Sequence, residues 1–135
     1  MQNILIIEDE ADIAESLAYN LRRNGFAATV ADSGELGLRL ALDKTNPPAL
    51  ILLDVMLPGM SGLELSRRLR REPLTKNTPI VLLSARASSR DEIAGLETGA
   101  NAYIKKPFSV KEVVARLQNI LDPENKKLLA VSTAA

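Results

Sequence analysis

A chain of 135 residues has the length of one domain, which buries roughly two-thirds of the surface its unfolded form exposes and folds without a staple. It contains no Cys and no His, so disulfides, thiolate metal sites and imidazole bases are excluded, and any chemistry runs on carboxylates, hydroxyls and amines. Lys plus Arg equals Asp plus Glu at 17 each, so no global positive field draws the chain to nucleic acid or to an anionic membrane; the expected setting is the reducing cytoplasm.

The first apolar run, Ile4 to Ile7, ends in Glu8-Asp9-Glu10 and is too short for a signal-peptide core or a membrane span. Ile13, Leu17 and Leu21 stack at i, i+4 and i+8 and predict a first helix stopped by Gly25. After a second short run, Ala27 to Ala31, the stretch Asp32-Ser33-Gly34-Glu35 caps a second helix carrying Leu36, Leu40 and Leu42, which ends before Pro47-Pro48. Leu50 to Leu53 are continuously apolar, as in a strand buried on both faces, and Asp54 is expected where that strand surfaces. Pro58 and Gly59 then break regular structure, and Ser61-Gly62-Leu63-Glu64 has the form of a capping box. Leu63, Leu65 and Leu69 mark a third helix, stopped by Pro73. Ile80 to Leu83 make a fourth strand followed by Ser84. Ser88 or Ser89 opens a fourth helix through Ile93 and Leu96, with Gly99 past its end. Ala102 to Ile104 form a fifth strand ahead of Lys106. Ser109 to Glu112 is another capping box, opening a helix striped by Val113, Val114, Leu117, Ile120 and Leu121. Beyond it the pattern dissolves, so the expected division is a domain over 1–121 and a tail or linker start over 122–135.

Five strands alternating with five helices through short loops argue an α/β doubly wound parallel sheet, and the right-handed crossover rule favours the flavodoxin-like strand order 2-1-3-4-5. Strands one and three are then neighbours, and Glu8, Asp9 and Asp54 converge at adjacent strand ends. Three carboxylates in one crevice repel unless a cation joins them, and an all-oxygen set suits a hard ion such as Mg²⁺. Ser84 adds a hydroxyl and Lys106 a positive charge, leaving the crevice near neutral and suited to a phosphoryl group. Singly, each residue has a blander reading: a solvated helix start, a turn cap, a strand-end hydroxyl, a surface lysine. Their joint placement on four strand ends favours a site.

Glu8-Asp9, Asp54 with Met56-Leu57-Pro58-Gly59 behind it, Ser84-Ala85-Arg86, Gly99-Ala100, Tyr103 and Lys106-Pro107-Phe108 together resemble the receiver domain of bacterial response regulators, over about Asn3 to Leu121. The resemblance implies phosphoryl transfer from a sensor histidine kinase or phosphotransfer domain, with Asp54 as phosphoacceptor. Asp9, Asp54 and the Met56 carbonyl correspond to direct Mg²⁺ ligands and Glu8 to a ligand through water. Lys106 would clamp the phosphoryl oxygens, Ser84 would hydrogen-bond one of them, and Tyr103 would swing into the space Ser84 vacates. The Lys106-Pro107 bond corresponds to the family's cis peptide.

Several positions refine that resemblance. Ser84 stands where Thr is more usual, losing the β-branch that stiffens χ1, and Glu8 stands for the more usual Asp. Met56 and Arg86 match the winged-helix transcription-factor class and are expected to screen the acyl phosphate from water and so tune its lifetime. That class dimerises through charge pairs across the fourth helix, fifth strand and fifth helix. Here Glu97 and Arg116 remain, but Asn101, Ala102, Gln118 and Glu92 break the ladder, so the expected homodimer is weaker or differently arranged. The class continues into a DNA-binding domain for transcription regulation, and the sequence is compatible with either an isolated regulatory domain or a single-domain regulator; in both, this domain itself touches no nucleic acid and no membrane. Competing readings are a Mg²⁺-dependent phosphatase, a flavin module of the same topology, and a phosphorylation-independent receiver-like interaction scaffold. Met56 stands where such a phosphatase carries a second acid, and acidic Glu8-Asp9-Glu10 would repel a flavin phosphate. The expected role is a switch and not an enzyme.

Overall fold

Strands and helices alternate strictly along the computed structural model, which describes residues 1–122: β1 (Asn3–Ile7), α1 (Ala11–Arg23), β2 (Ala27–Ala31), α2 (Gly34–Ala41), β3 (Leu50–Asp54), α3 (Gly62–Arg71), β4 (Ile80–Ser84), α4 (Ser89–Glu97), β5 (Ala102–Lys105) and α5 (Val110–Leu121). The tail expected over 122–135 lies, past Asp122, outside the described residues. All strand pairs are parallel, in the order β2-β1-β3-β4-β5. This is the doubly wound, flavodoxin-like topology expected from the alternation.

The continuous apolar runs follow from burial on both faces of the sheet. Successive side chains point to opposite faces. Ile4, Ile6, Leu50, Leu52, Val81 and Leu83 therefore pack beneath α1 and α5 with Leu17, Leu21, Val113 and Leu117. Leu5, Ile7, Ile51, Leu53, Ile80 and Leu82 turn the other way, toward Ala41, Leu65, Leu69 and Tyr103. A polar residue within such a strand would strand a dipole on one face or the other, so polarity is confined to strand ends.

Local caps set the helix starts. Ser33, Ser88 and Ser109 each accept a backbone N–H from the residue three positions on. At α2 it is Ser33 that caps, not Asp32. Ser61 departs from the expected capping box: its Oγ accepts from Leu63 N–H at 3.2 Å, one residue short of Glu64. The cause is the tight entry to α3, where Gly62 N–H donates to Val55 O at 2.9 Å. A Cβ at Gly62 would collide with the backbone of Asp54 and Val55, so only glycine lets α3 start this close to the end of β3. α1 ends through Asn24 into Gly25, and α3 ends before Pro73, as the sequence signals require.

α4 differs from the expected pattern. Ile93 and Leu96 leave 56% and 40% of their surfaces exposed, and Gly95 is the buried residue of the helix. Among the described residues no helix is long and apolar enough to cross a membrane.

Candidate functional site

Parallel strands all open at one edge, so the polar residues that terminate them share one crevice. Glu8 follows β1, Asp54 and Ser84 are the last residues of β3 and β4, and Lys106 follows β5. The register places Asp54 beside Leu83 and Ser84 beside Lys105.

Asp54 does not surface: its residue is 3% exposed. Its Oδ1 accepts the Met56 N–H at 3.1 Å and its Oδ2 the Lys106 ammonium at 3.3 Å. Lys106 Nζ also donates to Glu8 Oε1 at 2.8 Å and lies 3.7 Å from Glu10 Oε1. Glu8, sealed at 1% exposure, takes the Glu10 N–H on its other oxygen. Burial, reinforced by the adjacent Asp54 carboxylate, pushes the Glu8 pKa up to about 7 despite Lys106. Burial pulls the Lys106 ammonium down, but the hydrogen bond to Glu8 and the negative charges of Asp54 and Glu8 outweigh it, and its pKa is raised.

Asp9, in contrast, is exposed at the crevice mouth. Glu8, Asp9 and Asp54 each offer one carboxylate oxygen within 4.8 Å of the others. The set is all oxygen and strongly anionic, which suits a hard dication and offers nothing to a soft one.

Ser84 is fully buried, and its Oγ accepts the Arg86 N–H at 3.0 Å. Tyr103, 6% exposed, donates its OH to the Arg86 carbonyl at 2.9 Å. The ring therefore already occupies the buried position beneath α4. Met56 is 54% exposed; its side chain and that of Arg86 face a cavity of about 730 Å³ between the β3–α3 loop and α4, which Asp9 and Tyr103 also line. The Lys106-Pro107 peptide is cis.

A model of the response regulator receiver domain matches residues 4–118 of the chain. The chain belongs to the response regulator receiver domain family. It is 44% identical over 122 residues to the phosphate regulon transcriptional regulatory protein PhoB of Escherichia coli K12, covering 89% of this chain and 52% of that one. The chain thus spans about half the length of the curated relatives it matches. Among solved structures, the receiver domain of the Francisella response regulator 1452 superposes with a TM-score of 0.81 at 36% identity, covering 90% of this chain and 96% of that one. The beryllofluoride-activated receiver domain of Klebsiella pneumoniae RstA does so with a TM-score of 0.80 at 32% identity, covering 89% and 98%.

The geometry brings Glu8, Asp54 and Lys106 into contact, sets Asp9 at the crevice mouth, and joins Ser84 to Tyr103 through the N–H and the carbonyl of Arg86. Of the positions expected in a dimer ladder, Asn101 and Glu92 are engaged within the chain. Asn101 Oδ1 accepts the Ile80 N–H at 2.9 Å and an Arg70 N–H at 2.8 Å, Ala102 is buried, and Glu92 pairs with Lys105 at 3.5 Å. Sequence reasoning missed Arg70, Ser66 and Thr98. Arg70 sits in an arginine-rich run in which nothing local separates it from its solvent-facing neighbours, and the other two read as ordinary helix hydroxyls.

Proposed function

We propose that the receiver accepts a phosphoryl group on Asp54 from a sensor histidine kinase or phosphotransfer domain and, in response, changes its α4–β5–α5 face to control a transcriptional output domain or partner. The observation that carries this reading is Asp54 itself, a buried carboxylate with one oxygen on a backbone N–H and the other facing an ammonium. Phosphoryl transfer asks little covalent work of a protein and much positioning and charge neutralisation. An Asp54 oxygen attacks phosphorus. The P–N bond of a phosphohistidine breaks as the acyl-phosphate O–P bond forms, and the departing imidazole nitrogen keeps the electron pair and takes a proton from water. Asp9, Asp54 and the Met56 carbonyl would hold Mg²⁺ directly and Glu8 through water; the ion, when bound, neutralises charge on the phosphoryl oxygens.

Phosphorylation turns one negative charge into roughly two. Lys106 exchanges part of its pairing with Glu8 and Asp54 for the phosphoryl oxygens, and the Ser84 hydroxyl turns from the Arg86 N–H toward the new anion. A near-complete switch needs a bias of about 5.5 kcal/mol, whereas one charge-assisted hydrogen bond supplies about 1.5–3 kcal/mol. Activation is therefore graded, with a partner adding bias. The homodimer across α4, β5 and α5 is weaker or differently arranged than in the class, because Asn101 and Glu92 are engaged internally. The domain works in the cytoplasm over 1–121 as a switch and not an enzyme, without touching nucleic acid or membrane itself.

The test is titration with beryllofluoride and Mg²⁺, read by NMR beside an Asp54→Ala control. Mg²⁺-dependent shifts that reach Tyr103 and vanish in the control support the phospho-acceptor. Identical behaviour of the two proteins makes Asp54 a structural carboxylate and the domain a phosphorylation-independent scaffold.

A further inference from the structure

We infer that α4 is a lever pinned at its C-terminal end to α3 by Arg70 and the buried Ser66–Thr98 hydroxyl pair, so that only its N-terminal end travels when the site changes. The drive rests on the phospho-acceptor reading; the pivot is a property of the resting fold.

The two ends of α4 are held very differently. At the C-terminal end Thr98 Oγ1 donates to the Gly95 carbonyl at 2.6 Å and lies 2.8 Å from Ser66 Oγ, both hydroxyls being buried. A hydroxyl has one proton. Since that of Thr98 goes to Gly95, Ser66 is the donor to Thr98, and the two bonds run in series from α3 into α4. Arg70 fastens the following turn: Nε donates to Gly99 O at 2.8 Å and Nη2 to Asn101 Oδ1 at 2.8 Å. Its Nη1 ties the same guanidinium to the Thr75 and Thr78 carbonyls at 3.2 and 2.6 Å, and Asn101 passes the connection to β4 through the Ile80 N–H. Gly99, at φ +99°, makes the reversal into β5.

α3 is in turn fixed to the phosphoacceptor strand, because Gly62 starts the helix directly against the Asp54 and Val55 backbone. The pivot is therefore stationary relative to Asp54. The other end of α4 is reached through Ala85–Ser88, all exposed, and Ile93 leaves more than half of its surface in solvent. That end is held by the Arg86 backbone, whose N–H donates to Ser84 Oγ and whose carbonyl accepts from the Tyr103 hydroxyl, and by the half-exposed Glu92–Lys105 ion pair at 3.5 Å. When Ser84 turns to a phosphoryl group it releases the Arg86 N–H. A helix of nine residues is about 13 Å long, so a rotation of about 10° at Thr98 moves the far end roughly 2 Å.

The experiment is residue-resolved amide NMR on the whole chain, with Thr98→Val, which keeps side-chain shape and removes the hydroxyl, and Arg70→Gln. In the free wild type, amides of Glu92 to Ala94 are expected to exchange at least ~10-fold faster than those of Thr98, Gly99 and Asn101. In both variants the turn amides should speed up toward the α4 rate while β1 and β3 amides stay protected, which shows that the fold survives. A uniform rate along α4 and the turn in wild type, or an unchanged gradient in both variants, overturns the pivot. With beryllofluoride and Mg²⁺, shift changes should be large from Arg86 to Ala94 and fade by Thr98; changes of equal size through Asn101 overturn it as well. An intact exchange gradient with no beryllofluoride response removes the phospho-acceptor reading and leaves the pivot standing.

Discussion

Lys106 Nζ stands 2.8 Å from Glu8 Oε1, joining two residues 98 positions apart in the chain. The pair sits almost out of solvent, with side-chain exposures of 14% and 0%, and Asp54 lies 3.3 Å from the same ammonium. One cation thus serves two buried carboxylates, and the resting crevice carries more negative charge than it neutralises. Burial, reinforced by the adjacent Asp54 carboxylate, raises the pKa of Glu8 to about 7.

A pH dependence of stability follows. Glu8 titrates at about 7 in the fold and at 4.5 as a free group, so between those values the folded state binds the proton more tightly than the unfolded chain. The Glu8 contribution to unfolding free energy therefore rises as pH falls from above 7 toward 4.5, opposite to an ordinary paired carboxylate. In the metal-free protein, wild type compared with Glu8→Gln should gain roughly 2–3 kcal/mol between pH 8 and pH 5. Urea unfolding of both proteins at each pH checks it; a difference that shrinks on acidification contradicts the assignment.

Mg²⁺ should oppose the same strain. Its addition is expected to raise the melting temperature of wild type, with a stabilisation of about 2.7 kcal/mol at a hundredfold excess over the dissociation constant. Asp9 is the exposed member of the carboxylate cluster, outside the Lys106 pairing, so Asp9→Ala should leave the metal-free stability within about 0.5 kcal/mol and weaken Mg²⁺ at least ~10-fold. Thermal melts across a Mg²⁺ series separate the two effects.

Gly95 and Tyr103 are coupled by lack of space. A Cβ at Gly95 would come within 2.6 and 2.8 Å of the Tyr103 ring, and the ring is walled in by the buried layer around Leu82. Gly95→Ala is expected to cost about 1–3 kcal/mol or to expel the ring from beneath α4. Fluorescence of Tyr103 in a Tyr19→Phe background reads whether the ring is expelled, and denaturant melts followed by circular dichroism read the stability cost beside Tyr103→Phe, which loses one hydrogen bond of about 1 kcal/mol and keeps its packing.

Met56 and Arg86 stand over the crevice on separate loops, facing one cavity. If they screen the acyl phosphate, replacing both by Ala should shorten its lifetime by about tenfold, equivalent to ~1.4 kcal/mol in the hydrolysis barrier. Loss of label from phosphorylated protein measures this directly, and an unchanged rate shows that neither side chain shields the bond.

The alternation of five strands with five helices was legible because it is a local property. A strand covered on both faces must be apolar throughout, and helix starts and stops are written in Ser, Gly and Pro at fixed offsets. Parallel topology then obliges polar strand-end residues to meet at one edge, which is why Glu8, Asp54, Ser84 and Lys106 could be grouped from the sequence. Tertiary structure alone decided how they meet. Whether Lys106 pairs with Glu8, whether Tyr103 lies inward, and whether Ile93 and Leu96 are covered depend on side-chain directions and on neighbours far along the chain. Arg70 makes the point most sharply. Arg67, Arg68 and Arg71 beside it are exposed, and only the approach of the Gly99–Asn101 turn and the Thr75 and Thr78 carbonyls gives Arg70 its four acceptors. Local pattern fixes which residues can be polar at an edge; long-range packing fixes which acceptors each one finds.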